Sequence, residues 1–223
     1  MGDRAAKDQL FESFASVAKA LASGRRTEIV DVLAQGERSV EELATEIGQS
    51  VANTSHHLQT LARGGMVRSQ RRGTRVIYRL ASERVGEMWS ALRDIATQHA
   101  PDVERSATAY LGDRDDVTQI SATELAAKLD AGRVVVLDVR PTAEYRAGHI
   151  AGARSVPIGD LSELMPTLPA RSEVVAYCRG PYCVYADDAV RLLRSHGVRA
   201  RRLDTGFPEW RRAGLPVTQL DDR

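Results

Sequence analysis

Cysteine is nearly absent from this chain: two residues in 223, Cys178 and Cys183, separated by four others. So few thiols exclude a disulfide framework of the kind that staples small secreted domains. Long apolar runs are also missing. No window approaches the roughly 18 uninterrupted apolar residues a membrane span requires, and the first residues, MGDRAAKDQLFESF, are charged and lack the apolar centre of a signal peptide. The expectation is a cytoplasmic protein with no membrane partner, in which both thiols are free, redox-active or ligating rather than structurally bridged. Net charge is nearly absent too, at +1, but its distribution is uneven. Arg63, Arg68, Arg71, Arg72, Arg75 and Arg79 share a stretch with no Asp or Glu, whereas Asp113, Asp115 and Asp116 cluster in 112–118. A local basic patch on a nearly neutral protein predicts a face that meets an anion such as nucleic acid.

What is present is ordinary for a globular protein: 43% hydrophobic and 27% charged residues. The length favours two domains. Both cysteines lie in one segment, Cys178-Arg179-Gly180-Pro181-Tyr182-Cys183-Val184, between an apolar run (EVVAY, 173–177) and a run of helical spacing from Tyr185 to His196. Cys178 is thereby expected at the carboxyl end of a buried strand and facing a helix N-terminus. Orphan backbone N–H groups, the helix dipole and Arg179 then favour thiolate over thiol, which makes Cys178 a candidate nucleophile.

The first half reads as helices. Leu10, Phe11, Phe14, Val17, Ala18 and Leu21 keep helical spacing until Gly24; Arg25 to Leu33 gives a second helix. Ser39 with Glu42 is a capping box opening a third, stopped at Gly48, and Ser50 begins a fourth that runs to Leu61. Two short helices joined by a glycine-containing turn form a helix-turn-helix pattern. The fourth helix offers Asn53, Thr54, Ser55, His56, His57 and Gln59 to base edges and phosphates. Beyond Gly64-Gly65, two alternating runs, 66–70 and 75–80, flank a turn of Arg71, Arg72, Gly73 and Thr74. This predicts a basic hairpin, or wing, with Arg71, Arg72, Thr74 and Arg75 along the phosphate backbone or minor groove of double-stranded operator DNA.

The helix order, the segment 50–61 (SVANTSHHLQTL) and Gly64-Gly65-Met66-Val67 before the hairpin resemble the ArsR/SmtB family of winged-helix repressors over about residues 11–96. That resemblance implies a homodimer whose first and last helices meet, through Phe11, Phe14 and Val17 and through Val85, Met88, Trp89, Leu92 and Ile95. The chain departs from the family's metal sensors. Arg38-Ser39-Val40-Glu41-Glu42 stands where many members carry cysteines, the last helix offers only His99, and adjacent His56 and His57 point apart, so no metal site is expected.

From Ile120 the pattern alternates between strands and helices, which predicts a parallel sheet covered by helices with its active site at the strand carboxyl ends. Leu137-Asp138-Val139-Arg140, Glu144-Tyr145, Gly148-His149-Ile150-Ala151-Gly152-Ala153, Val175-Ala176-Tyr177-Cys178 and Asp204-Thr205-Gly206-Phe207 with Trp210 resemble a single-domain rhodanese over about residues 121–217. By that resemblance Cys178 accepts sulfur as a persulfide, with no other cofactor, and the backbone of Arg179, Gly180, Pro181, Tyr182, Cys183 and Val184 cradles its Sγ. Asp138 is expected to brace the loops; Arg140 is either a brace or an anion contact. Cys183 is a resolving thiol or a small apolar residue of the first helical turn.

The expected fold class is therefore a mainly α winged helix-turn-helix domain (1–111), a linker (112–118) and an α/β rhodanese-like domain (119–223). The expected function is a DNA-binding repressor whose affinity follows the sulfur or redox state of Cys178, with a small sulfur donor or oxidant as effector. A sulfurtransferase with an autoregulatory DNA-binding half, and an arsenic or antimony sensor using both cysteines, are the alternatives.

Overall fold

In the computed structural model, which describes residues 3–168 and 172–220, internal contacts divide the chain into two units, Met1–Gln98 and His99–Arg223. The first unit contains α1 (Arg4–Lys19), α2 (Gly24–Gln35), β1 (Arg38–Ser39), α3 (Val40–Glu46), α4 (Val51–Arg63), β2 (Val67–Arg72), β3 (Arg75–Leu80) and most of α5 (Glu83–His99). Helix α1 begins at Arg4, ahead of its apolar stripe, because Asp3 accepts from the Ala5 N–H as a cap. The expected capping box is present at α3: Ser39 accepts from the Glu42 N–H and Glu42 accepts from the Ser39 N–H. Ile29, Val30, Leu43, Ile47, Leu58 and Leu61 are almost wholly buried in one core, each contributing about 1.5–3 kcal/mol.

The wing differs slightly from expectation. Arg71 and Arg72 belong to β2, pairing with Val76 and Arg75, so the turn shrinks to Gly73-Thr74. Gly73 has φ +61, a value the tight hairpin turn requires and a side chain would resist. A third strand, β1, adds to the edge of β3.

The second unit contains α6 (Pro101–Leu111), β4 (Gln119–Ile120), α7 (Ala122–Asp130), β5 (Val134–Asp138), α8 (Thr142–Ala147), β6 (His149–Ile150), β7 (Arg154–Ser155), α9 (Leu161–Leu164), β8 (Glu173–Tyr177), α10 (Tyr185–Ser195), β9 (Ala200–Leu203), α11 (Phe207–Arg212) and β10 (Val217–Thr218). The principal sheet has the order β4-β9-β8-β5-β7, parallel throughout, with β8 at its centre. Period-two alternation sends Val174 and Ala176 to the layer holding Ala186, Ala189, Val190 and Leu193 of α10. Val175 and Tyr177 point to the opposite layer, with Leu125, Phe207 and Trp210. Both faces are covered, as a parallel sheet demands. Segment 112–118, expected as a linker, lies inside this unit.

Candidate functional site

The amino-terminal unit presents its candidate nucleic-acid face on α4 and the wing. Asn53, His56 and Gln59 are exposed on α4, and Ser55 and His57 are half-exposed. Thr54 is not available: it is fully buried, and its hydroxyl donates to the Ser50 carbonyl at 2.9 Å. Positions 54, 58 and 61 share one helical face, a spacing that marks Thr54 as a packing residue. Burial, reinforced by the nearby Arg26 guanidinium, lowers the pKa of His57 and disfavours its charged form. Arg71, Thr74 and Arg75 are exposed at the wing tip. Arg72 is also exposed, but forms an ion pair with Glu37, so its charge reaches an outside anion only at that pair's expense.

Helix α1 has no buried residue. Leu10, Phe11, Phe14 and Val17 are 51%, 59%, 61% and 40% exposed, and Leu92 and Ile95 on α5 are 41% and 58% exposed. Val85, Met88 and Trp89, expected in an interface, pack on this unit's own core, Val85 buried and Met88 and Trp89 half-buried. Trp89 Nε1 donates to Asp31 at 2.7 Å.

In the carboxy-terminal unit Cys178 follows directly on β8 and is 1% exposed. It is bonded to Cys183, with Cα atoms 6.2 Å apart, inside the reach of about 7 Å that a disulfide allows. Of the free, redox-active or ligating states expected, the thiols are not free here: the chain curls enough between β8 and α10 to bring the pair together. The Cys183 N–H donates to the Gly180 carbonyl at 3.2 Å, closing the turn. Arg179 turns back and gives both carboxylate oxygens of Glu144 its guanidinium, at 2.6–3.2 Å; Glu144 is fully buried. The cation expected beside Cys178 is thereby neutralised by a residue that the sequence marked only as part of a motif.

Asp138 and Arg140, both fully buried, act as a brace. Arg140 donates to the two Asp138 oxygens at 2.9 and 2.6 Å and to the Gly148 carbonyl at 2.7 Å, and its guanidinium lies 4.4 Å from the centre of the Phe207 ring. Burial works against its charge, and Asp138 overcomes this to hold its pKa above the ordinary value. Tyr177 donates to the same Asp138 at 2.5 Å, and burial raises its pKa well above the usual phenol value. An anion-contact role for Arg140 is not what this geometry offers. His149 stacks on Tyr145 at 3.7 Å with its Nδ1 2.9 Å from the Tyr145 carbonyl.

The motif at Gly206-Phe207 and three residues outside any motif, Arg114, Asp187 and Arg202, surround the loop. Gly206 lies so close that a Cβ there would sit 2.3 Å from the Arg179 carbonyl oxygen and 2.4 Å from the Gly180 nitrogen, and the Phe207 N–H donates to the Cys178 carbonyl at 3.1 Å. Beneath the loop, Asp187 on α10 pairs with Arg114 at 2.6 Å and with Arg202 at 3.2 Å. Both arginines also donate to loop carbonyls: Arg114 to Pro181 at 2.9 Å, Arg202 to Gly180 at 3.3 Å. Burial raises the Asp187 pKa while Arg114 pulls it back. Two guanidinium groups and one carboxylate leave a net positive charge under the loop, at the start of α10. Among the described residues no cluster of three or more His, Cys, Asp or Glu could hold a metal ion, and no helix is long and apolar enough to cross a membrane.

Comparison with known proteins agrees with this division. Residues 23–69 match the family of bacterial regulatory proteins of the arsR type, and residues 121–213 match the rhodanese-like domain. The HTH-type transcriptional regulator Rv0324 of Mycobacterium tuberculosis is 46% identical over 213 residues, spanning 96% of this chain and 93% of that protein. A sulfurtransferase of Allochromatium vinosum is 31% identical over 102 residues, or 45% of this chain and 94% of its own length. Among solved structures, a homodimeric winged helix-turn-helix DNA-binding domain from Mycobacterium bovis shares 43% identity, covering 46% of this chain and 93% of that one with a TM-score of 0.42.

Proposed function

This chain belongs to the ArsR family of DNA-binding transcriptional regulators and carries a rhodanese-like domain behind its winged helix, and from that premise we propose that it is a homodimeric repressor switched by sulfane sulfur. The observation that carries the reading is the closed Cys178–Cys183 pair at the carboxyl end of the central strand. A rhodanese-type nucleophile with a second thiol in bonding reach has a definite chemical outcome. The Cys178 thiolate attacks the terminal sulfur of a persulfide R–S–SH; a Cys178–S–SH forms and the thiolate R–S⁻ leaves. The Cys183 thiolate then attacks Cys178 Sγ, hydrosulfide departs, and the disulfide remains. The input is one sulfane sulfur, the output one sulfide and an oxidised loop, and a cellular dithiol restores the starting state.

The exposed apolar stripe of Leu10, Phe11, Phe14 and Val17, with Leu92 and Ile95, supports covering of this face by a second copy. Two copies present two α4 helices and two wings, the arrangement a two-fold operator requires.

The test compares operator affinity of the full chain and of Cys178→Ser, each with and without polysulfide. Polysulfide is expected to weaken the wild type at least about fivefold, the lower end of ordinary allosteric coupling, and to leave Cys178→Ser unchanged. Equal shifts in both proteins, or in neither, would sink the proposal. The likeness to a sulfurtransferase supports a second reading in which Cys178 turns over, passing sulfur to an acceptor such as cyanide. In that case Cys183→Ser, which cannot divert the persulfide into a disulfide, forms thiocyanate at least as fast as the wild type.

A further inference from the structure

Segment 112–118 has the composition of a loose acidic linker, yet each second residue is fastened to α10. Arg114 pairs with Asp187, Asp116 with Arg191 at 3.0 Å, and the Thr118 hydroxyl accepts from Arg194 at 2.7 Å. The Asp113 and Asp116 carbonyls also accept from Arg191 and Arg194. Residues 187, 191 and 194 form one stripe on a helix at i, i+4 and i+7, and strap 112–118 lies along it with a turn at Asp115–Asp116, closed by the Val117 N–H donating to the Arg114 carbonyl at 2.9 Å. Val117, between these positions, is buried against the α10 layer. The strap then continues into β4, which pairs with β9.

The upper end of this strap reaches the thiol loop. Arg114 holds Asp187 with Nε and the Pro181 carbonyl with Nη1, at 2.6 and 2.9 Å. Pro181 lies inside the ring that the Cys178–Cys183 bond closes, and proline offers no N–H by which the loop could be held otherwise at that residue. Opening the disulfide removes the covalent closure of the ring, and the side chains that hold the Gly180 and Pro181 carbonyls from below are Arg114 and Arg202. One guanidinium thus ties the strap both to α10 and to a carbonyl of the thiol loop.

We infer that Arg114 is a positioning residue for the Cys178–Cys183 loop, and that through it the oxidised loop locks strap 112–118 onto α10 while the reduced loop loosens it. The strap follows α6 in the chain, so its docking is the quantity handed toward the DNA-binding unit. This rests on the sulfur-switch reading for its biological purpose, but its physical content does not require DNA.

Two measurements on the full-length protein test it. In the wild type, amide hydrogen exchange of 113–118 is expected to be about tenfold or more faster with the pair reduced than oxidised, a coupling of ordinary size. By reciprocity, Arg114→Ala should shift the thiol–disulfide equilibrium toward the dithiol about tenfold, equivalent to about 30 mV for a two-electron couple; thiol labelling across a series of reduced and oxidised dithiothreitol ratios reads this. Arg114→Lys, which keeps the charge but not the fork, should fall between, and it carries the test if the alanine variant fails to fold. Equal exchange of 113–118 in both redox states, or an equilibrium within twofold of wild type in a folded Arg114 variant, overturns the inference. A failed operator response to polysulfide alongside these two shifts would instead count against the switch reading alone.

Discussion

Arginine performs opposite work in the two halves of this molecule. On the wing, Arg71 and Arg75 stand in solvent beside a two-residue turn, with an exposed bond from Arg71 to the Gly73 carbonyl and a minor electrostatic effect of Arg75 on Glu41. In the rhodanese-like unit, Arg140 and Arg202 are 0% and 1% exposed and are spent on carboxylates and backbone carbonyls around one loop. An exposed cation gives its free energy to an external anion and loses it to salt. A buried one gives it to the fold and becomes costly to unpair. Under the proposed function, the same residue type supplies reversible docking on one side and a rigid mount for the thiol loop on the other.

The sharpest way to break this contrast is at the brace. Removing one partner of the fully buried Asp138–Arg140 pair, as in Asp138→Ala, strands a charge and is expected to cost about 3–5 kcal/mol. Chemical denaturation should show the second unit unfolding earlier while the first keeps its own midpoint; a single unshifted transition would contradict the assignment. Next in size is Gly206→Ala. Its Cβ would collide with the backbone of Arg179 and Gly180 rather than with a flexible side chain, a strain of about 1–3 kcal/mol. Because the collision is with the thiol loop itself, Cys178 labelling in the reduced protein should slow along with the loss of stability.

The wing responds on a different axis. Arg71→Ala with Arg75→Ala should leave thermal stability unchanged and reduce the salt slope of operator binding by about 1.8, from about 0.9 per lost phosphate contact. Over a fourfold rise in salt, that is roughly a tenfold difference in how far affinity falls. Arg72→Ala should remove less, since Arg72 already has Glu37 as its partner. An Arg72 effect as large as that of Arg71 would show that the Glu37 pair yields freely to DNA.

Local periodicity carried much of this architecture in the sequence. The capping box at Ser39, the bounds of β8, and the placement of Cys178 between β8 and α10 all follow from neighbours within a few residues. The inward turn of Thr54 was equally local, and its spacing to Leu58 and Leu61 carries the signal even though a polar residue suggests a surface. The mount of the thiol loop was not local at all. Arg114 and Asp187 lie 73 positions apart, and Arg179 and Glu144 lie 35 apart. No pattern within a window of one element reports such pairs. A segment rich in Asp and Gly has the composition of a linker until its alternate residues are set against the stripe on α10. Closure of the Cys178–Cys183 ring likewise depended on the curl of the loop, which spacing alone left open.

The smallest expected effect lies at the opposite end of the sheet from the thiols, where an ion cluster is neither fully exposed nor fully buried. Glu173 at the start of β8 accepts from Lys128 at 2.5 Å and from Arg201 at 2.6 Å. Burial raises its pKa, but the hydrogen bonds from Lys128 and Arg201 outweigh this and leave it below the ordinary carboxylate value. A carboxyl whose folded pKa is depressed contributes stability above its unfolded pKa, about 4.3 for glutamate, and loses it as pH falls through the folded value. Glu173→Gln should therefore lower stability at neutral pH by no more than about 1 kcal/mol, the range of partly solvated pairs. Wild type and variant should converge as the pH drops below 4.3 or so. Urea midpoints between neutral and acid pH read the difference. A gap that stays constant into acid would mean that packing rather than charge holds this corner. It would then belong with the buried mount of the loop, not with the salt-sensitive wing.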